Sequence, residues 1–100
     1  MNLKYHFRGY KQTERVKQAF LRRLNEHSLT ISPSNLYGQV SFNKQGPIHQ
    51  ITCQLGTRSG AKFQIESSGS SPTVCIEKII YKLNSYLAML NNQQEKRKAN

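Results

Sequence analysis

The chain has 100 residues, which suits one small domain with a modest core and leaves no room for two. Fifteen Lys and Arg stand against five Glu and no Asp, for a formal net charge of +10, which points to a polyanionic partner: nucleic acid or an anionic membrane face. No apolar run approaches the roughly 18 residues of a membrane-spanning helix, the N-terminus lacks a signal-peptide pattern, and Cys53 and Cys75 form no CxxC or Cys/His grouping, so the composition describes a soluble, non-secreted, cytoplasmic protein with two free thiols and no metal or other cofactor.

The segment Asn2 to Arg8 alternates, with Leu3, Tyr5 and Phe7 on one side and Lys4, His6 and Arg8 on the other, as a half-buried strand does. Thr13 is placed to cap a helix from Glu14 to His27, with Glu14 at the positive end of its dipole and Val16, Ala19, Phe20 and Leu24 facing inward. Arg15 and Arg22 project from one flank, Lys17 from the other, and Arg23 lies close to the edge of the apolar stripe. The Pro- and Ser-rich stretch Ser28 to Asn35 reads as a loop.

Three alternating segments follow at hairpin spacing. Leu36 to Asn43 sets Leu36, Gly38, Val40 and Phe42 against Tyr37, Gln39, Ser41 and Asn43, and the chain then turns near Gly46. Ile48 to Leu55 carries His49, Ile51, Cys53 and Leu55 inward. After a turn at Gly56 to Gly60, Ala61 to Ser67 points Ala61, Phe63 and Ile65 to the same side. The last helix starts at Ser70, Ser71 and Pro72 and runs to Leu90, with Ile76, Ile79, Ile80, Leu83, Leu87 and Leu90 on one stripe. Residues 92–100 read as a basic polar tail that is disordered, leaving a domain of residues 1–91.

The order β-α-β-β-β-α, with every strand apolar on one face only, predicts an α+β fold: a four-stranded sheet with both helices on its apolar face. The first two strands are then parallel across a helical crossover and the rest antiparallel. The apolar stripe of the last helix, about 21 Å long, roughly matches the width of four strands and predicts that this helix lies across the whole sheet. No acid/base pair, triad or phosphate-binding glycine loop is present, so the chain reads as a binding protein and not an enzyme. His49 reads as a satisfied core histidine rather than a ligand.

The opening MxLxxxxRG strand (Met1, Leu3, Arg8, Gly9), the helix start Thr13-Glu14-Arg15-Val16-Lys17, the run Ile65-Glu66-Ser67-Ser68-Gly69-Ser70-Ser71 and the segment Ile76-Glu77-Lys78-Ile79-Ile80-Tyr81-Lys82-Leu83 together resemble the ribosome hibernation promoting factor and ribosome-associated inhibitor family. The last is similar to the family's Ile-Asp-x-hydrophobic-Ile-Asp-Lys-Leu. The resemblance implies a non-catalytic protein of the short form, monomeric when free, that binds ribosomal RNA of the small ribosomal subunit in the mRNA and tRNA channel and blocks translation. It also implies no membrane partner and no small-molecule substrate. Arg23 and Lys82 match basic positions of the family's two helices; the charge pattern adds Arg22 and Lys78.

One departure bears on affinity. The family continues its second helix with a row of cations, whereas Asn84 to Asn91 here carries none. Each lost phosphate contact weakens the salt-dependent part of RNA binding, so either the grip shifts to Arg15, Arg22, Arg23 and the strand residues Lys4 and Arg8, or the chain is a divergent member with a changed partner. Two other readings are weighed beside this one: a stand-alone double-stranded-RNA module, and a protein-interaction module using Tyr81, Tyr86 and Met89 of the last helix.

Overall fold

The computed structural model describes residues 2–27 and 36–98, with side chains through Met89. The expected loop Ser28 to Asn35, the side chain of Leu90 and the cations Lys96, Arg97 and Lys98 lie outside the described residues and side chains. The elements are β1 (Asn2–Arg8), α1 (Thr13–Glu26), β2 (Leu36–Gln45), β3 (Ile48–Thr57), β4 (Lys62–Gly69) and α2 (Pro72–Lys98). They build one four-stranded sheet in the order β1-β2-β3-β4, with β1 parallel to β2 and the other pairs antiparallel. The α+β architecture with two helices on the apolar face is the one the alternation requires.

The boundaries differ from expectation in informative ways. At the start of α1, Thr13 makes no cap; Gln12 holds the N-cap position without a side-chain cap bond, and the Glu14 carboxylate accepts from Gln18 Nε2 at 2.9 Å. Each strand of the β2–β3 hairpin runs two residues beyond its apolar alternation: β2 to Gln45, which pairs with Ile48, and β3 to Thr57, which pairs with Leu36. Gly46, at φ +59, then occupies the first position of a two-residue turn that needs a left-handed residue. Ala61 falls in the β3–β4 turn, its carbonyl accepting from Thr57 N–H at 2.9 Å, so it is not a strand residue. The start of α2 is as predicted: Ser71 Oγ accepts the Val74 N–H at 3.2 Å, and Pro72 is the first helical residue. α2 continues past Leu90 to Lys98.

The main correction concerns the course of α2. It does not cross the sheet. It returns along β4, as its partners show in sequence: Cys75 against Ser67, Lys78 against Ser68, Lys82 against Glu66, and Tyr86 stacked on Phe63. The reason is width. Four strands about 4.8 Å apart are covered by two helices lying side by side about 8–10 Å apart, and α1 already occupies the β1–β2 half, where Phe20 meets Tyr5 and Phe42 edge to face. Between the layers lie Phe20, Leu24, Val40, Phe42, Ile51, Cys53, Ile79, Ile80 and Leu83, all essentially inaccessible to water.

One glycine fixes the contact between β2 and β3. Gly38 has φ +138, and a Cβ there would sit 2.0 Å from the carbonyl oxygen of Gln54 in the neighbouring strand. Only glycine permits that approach. His49 is buried as expected, and its Nδ1 lies 2.7 Å from Tyr10 Oη, a partner that spacing along the chain does not reveal.

Candidate nucleic-acid interface

The cations picked out by the sequence divide into two groups. Lys78, Lys82 and Arg23 are engaged within the fold. Strand β4 lies at the edge of the sheet, so alternate carbonyls of it face outward without a strand partner. Lys78 Nζ donates to the Ser68 carbonyl at 2.7 Å and Lys82 Nζ to the Glu66 carbonyl, one helical turn apart. These lysines cap an open edge.

Arg23 joins the two helices. Its Nε and Nη2 donate to the two carboxylate oxygens of Glu77 at 2.6 and 2.8 Å, and Nη1 also donates to Glu26. Its side chain is 28% exposed, and Glu77 first and Glu26 second hold the guanidinium more firmly charged. Next to it, Arg23 Nη2 lies 3.2 Å from His27 Nε2. Arginine only donates, so Nε2 accepts and the imidazole proton sits on Nδ1. Nδ1 lies 3.1 Å from the Asn84 amide nitrogen, while Asn84 Oδ1 is buried with no partner. A half-turn of that amide presents Oδ1 to the Nδ1–H, which matches donor to acceptor and moves the unpartnered position to Nδ2. The chain Glu77–Arg23–His27–Asn84 therefore clamps α1 against α2.

The second group is free. Among the described residues the carboxylates form ion pairs with Arg23 only. Arg15 and Arg22 are exposed, seven residues apart on the outer face of α1, about 10.5 Å along its axis. Arg15 Nη1 donates to the Gln12 side-chain oxygen at 3.4 Å. On the flank of α1 that overhangs β1, Lys17 Nζ stands 5.1 Å from the centre of the Tyr5 ring. Burial beneath it pushes the Tyr5 phenol up to about 12. Lys4, His6 and Arg8 project from β1 to the opposite, uncovered face of the sheet. The free cations thus wrap the β1–α1 edge of the molecule, from the open sheet face round to the outer side of α1. Lys17 belongs with them, although its residue type and spacing alone gave no reason to single it out.

The strand register sets the open sheet face in four rows. They are Asn2–Tyr37–Gly56–Lys62, Lys4–Gln39–Gln54–Gln64, His6–Ser41–Thr52–Glu66 and Arg8–Asn43–Gln50–Ser68. This face is dominated by amides and hydroxyls, with cations at its margins. The outer side of α2 differs again: Tyr81 is 74% and Met89 50% exposed, whereas Tyr86 is partly covered by its stack on Phe63.

No family model and no curated protein matches the sequence. Among solved structures, the chain is similar to the N-terminal domain of Protein Y from Thermus thermophilus, with a TM-score of 0.74 and 13% identity over 90% of this chain and 99% of that one. It is also similar to a ribosomal subunit interface protein from Coxiella burnetii, with a TM-score of 0.76 and 10% identity over 92% of this chain and 99% of that one. At these identities the likeness is one of fold, and it extends over almost the whole of each chain: the single α+β domain built here is the domain those proteins share.

Proposed function

We propose that this chain is a non-catalytic, ribosome-associated protein that binds ribosomal RNA of the small subunit in the mRNA and tRNA channel and so inhibits translation. The observation that carries the reading is the set of cations without carboxylate partners along the β1–α1 edge: Arg15, Arg22, Lys17, Lys4 and Arg8. In a protein of net charge +10 such an edge attracts a polyanion and steers its approach. The ribosome as that polyanion is supported by the fold, which the chain shares with a protein described as a ribosomal subunit interface protein. Lys78 and Lys82 act as secondary contacts through their remaining N–H donors, and Arg23 acts by holding α1 and its free arginines in place. The free protein is a monomer.

The reading is tested by sedimenting the protein with purified small subunits at two salt concentrations. Binding that falls steeply with salt and is lost on reversing Arg15 and Arg22 supports it; binding indifferent to salt, or equal retention on any RNA duplex, overturns it. A stand-alone double-stranded-RNA module has less support. Its core is α-β-β-β-α, whereas here β1 pairs with β2 along its whole length and completes the sheet.

A further inference from the structure

One feature of the open sheet face is not accounted for by the cationic edge. Tyr37 lies on that face at 40% exposure, and its direct cross-strand neighbour is Gly56. A Cβ on Gly56 would fall 2.4 Å from Tyr37 Cζ and 2.5 Å from its Oη. The ring therefore lies down over the glycine backbone, in space that any other residue would fill. Gly56 is buried beneath it. The outer end of the ring is packed on the strand there, and the residue stays 40% exposed.

Covering a cross-strand glycine with an aromatic stabilises a sheet by itself. What surrounds this ring goes further. The next row along the strands, about 6.7 Å away, is Lys4–Gln39–Gln54–Gln64, three amides side by side, each offering a donor and an acceptor. In the ring's own row Lys62 is exposed, and Arg58 stands in the adjoining β3–β4 turn. Among the described residues the only carboxylate on this face is Glu66, two rows away and hydrogen-bonded to Gln64 Nε2 at 2.7 Å. A flat aromatic face, hydrogen-bonding groups one row away and cations on both sides match a nucleotide with its base splayed out: base on the ring, base edge on the amides, phosphates at Lys4 and Lys62.

We propose that Tyr37, seated on Gly56, is a stacking site for an unpaired base of single-stranded RNA, with Gln39 and Gln54 contacting the base edge. The site lies on the face of the sheet away from the helices, and it rests on the RNA-binding part of the function proposed above. It takes one splayed base, which a duplex cannot present. The cationic edge, by contrast, contacts backbone phosphates and reads no base.

The probe is an eight-nucleotide oligoadenylate, titrated into the native protein by fluorescence anisotropy while the tyrosine ring protons are followed by NMR. Stacking is expected to move the Tyr37 ring protons upfield. A stacked base is worth roughly 1–3 kcal/mol, so Tyr37→Leu, which still covers Gly56 but has no π-face, is expected to weaken binding roughly 5- to 150-fold. Tyr37→Phe is expected to retain it. Unmoved Tyr37 resonances, or a Tyr37→Leu variant that binds the oligonucleotide as the native protein does, would overturn the site. Sedimentation of the same Tyr37→Leu variant with small subunits keeps the two proposals apart. Retained ribosome binding with no Tyr37 shift refutes the stacking site alone; lost salt-sensitive ribosome binding by the native protein refutes the ribosomal reading.

Discussion

Replacing Arg15 and Arg22 together by Gln should flatten the salt dependence of RNA binding, and replacing Lys78 and Lys82 together should not do so to the same extent. All four residues are exposed cations on helices, so residue type does not separate them. The structure does: the two lysines already donate to the Ser68 and Glu66 carbonyls, while the two arginines face solvent without a carboxylate partner among the described residues. A phosphate contact contributes about −0.7 to −0.9 to the slope of log K against log salt, so the arginine pair should reduce the slope by about 1.4 to 1.8. Between roughly 50 and 200 mM salt this shrinks the loss of affinity by about 7- to 12-fold. The lysine pair should instead lower stability, because two β4 carbonyls lose their partners. The assay is anisotropy of a labelled small-subunit RNA fragment at four salt concentrations, with urea unfolding in parallel. Equal slope changes for the two pairs would refute the division into engaged and free cations.

Three further outcomes follow from the packing. Gly38→Ala must relieve a 2.0 Å approach to the Gln54 carbonyl at a positive φ, for a cost of about 3–5 kcal/mol from backbone strain and parted ladder bonds. Gly46→Ala, at φ +59 with open space around it, should cost only about 1 kcal/mol, and urea midpoints compare the two. Burial pushes the Cys53 thiol and the Tyr5 phenol up to about 12, from 9.0 and 10.0; the native state then keeps protons that the unfolded chain loses, and stability falls as pH rises from about 9 to 12. Alkaline unfolding should accompany the loss of both protons, and reaction of Cys53 with a thiol reagent at neutral pH should require unfolding. His27 should be the Nδ1–H tautomer, read from its long-range nitrogen–proton correlations; an Nε2–H tautomer would break the proposed bond order around Arg23.

Much of the fold was legible because burial leaves a period. Alternation in β1, β2 and β3 and the three-and-four spacing in α2 are direct records of one-sided burial, and each apolar position so assigned in β2 and β3 lies inside or against the core. The direction of α2 was not legible. A helical stripe records that a face is covered and not what covers it, so a helix lying along β4 and one lying across four strands share a pattern. The interface divided along the same line. Exposure of Arg15, Arg22, Lys4 and Arg8 follows from periodicity alone. The engagement of Arg23 with Glu77, of Lys78 and Lys82 with β4, and of Tyr37 with Gly56 depends on residues brought together across the fold.

The way charge is shared out explains why the two edges of this sheet differ. Of the carboxylates whose side chains are described, Glu14 and Glu66 bond to glutamines, and Glu26 and Glu77 converge on one arginine. In a chain this poor in acid, cations beyond that single clamp turn to neutral partners, backbone carbonyls among them. The β4 edge supplies carbonyls, and the return of α2 along it brings Lys78 and Lys82 within reach. Open edges invite pairing with other chains, so these lysines protect the sheet with the residue type the chain has in excess. The β1 edge meets the same demand differently. Lys4 and Arg8 project beside it with Lys17 above, a row of like charge of the kind that disfavours edge pairing. Those cations have no carboxylate partner among the described residues, and the same row of charge that disfavours pairing of β1 with another strand attracts a polyanion.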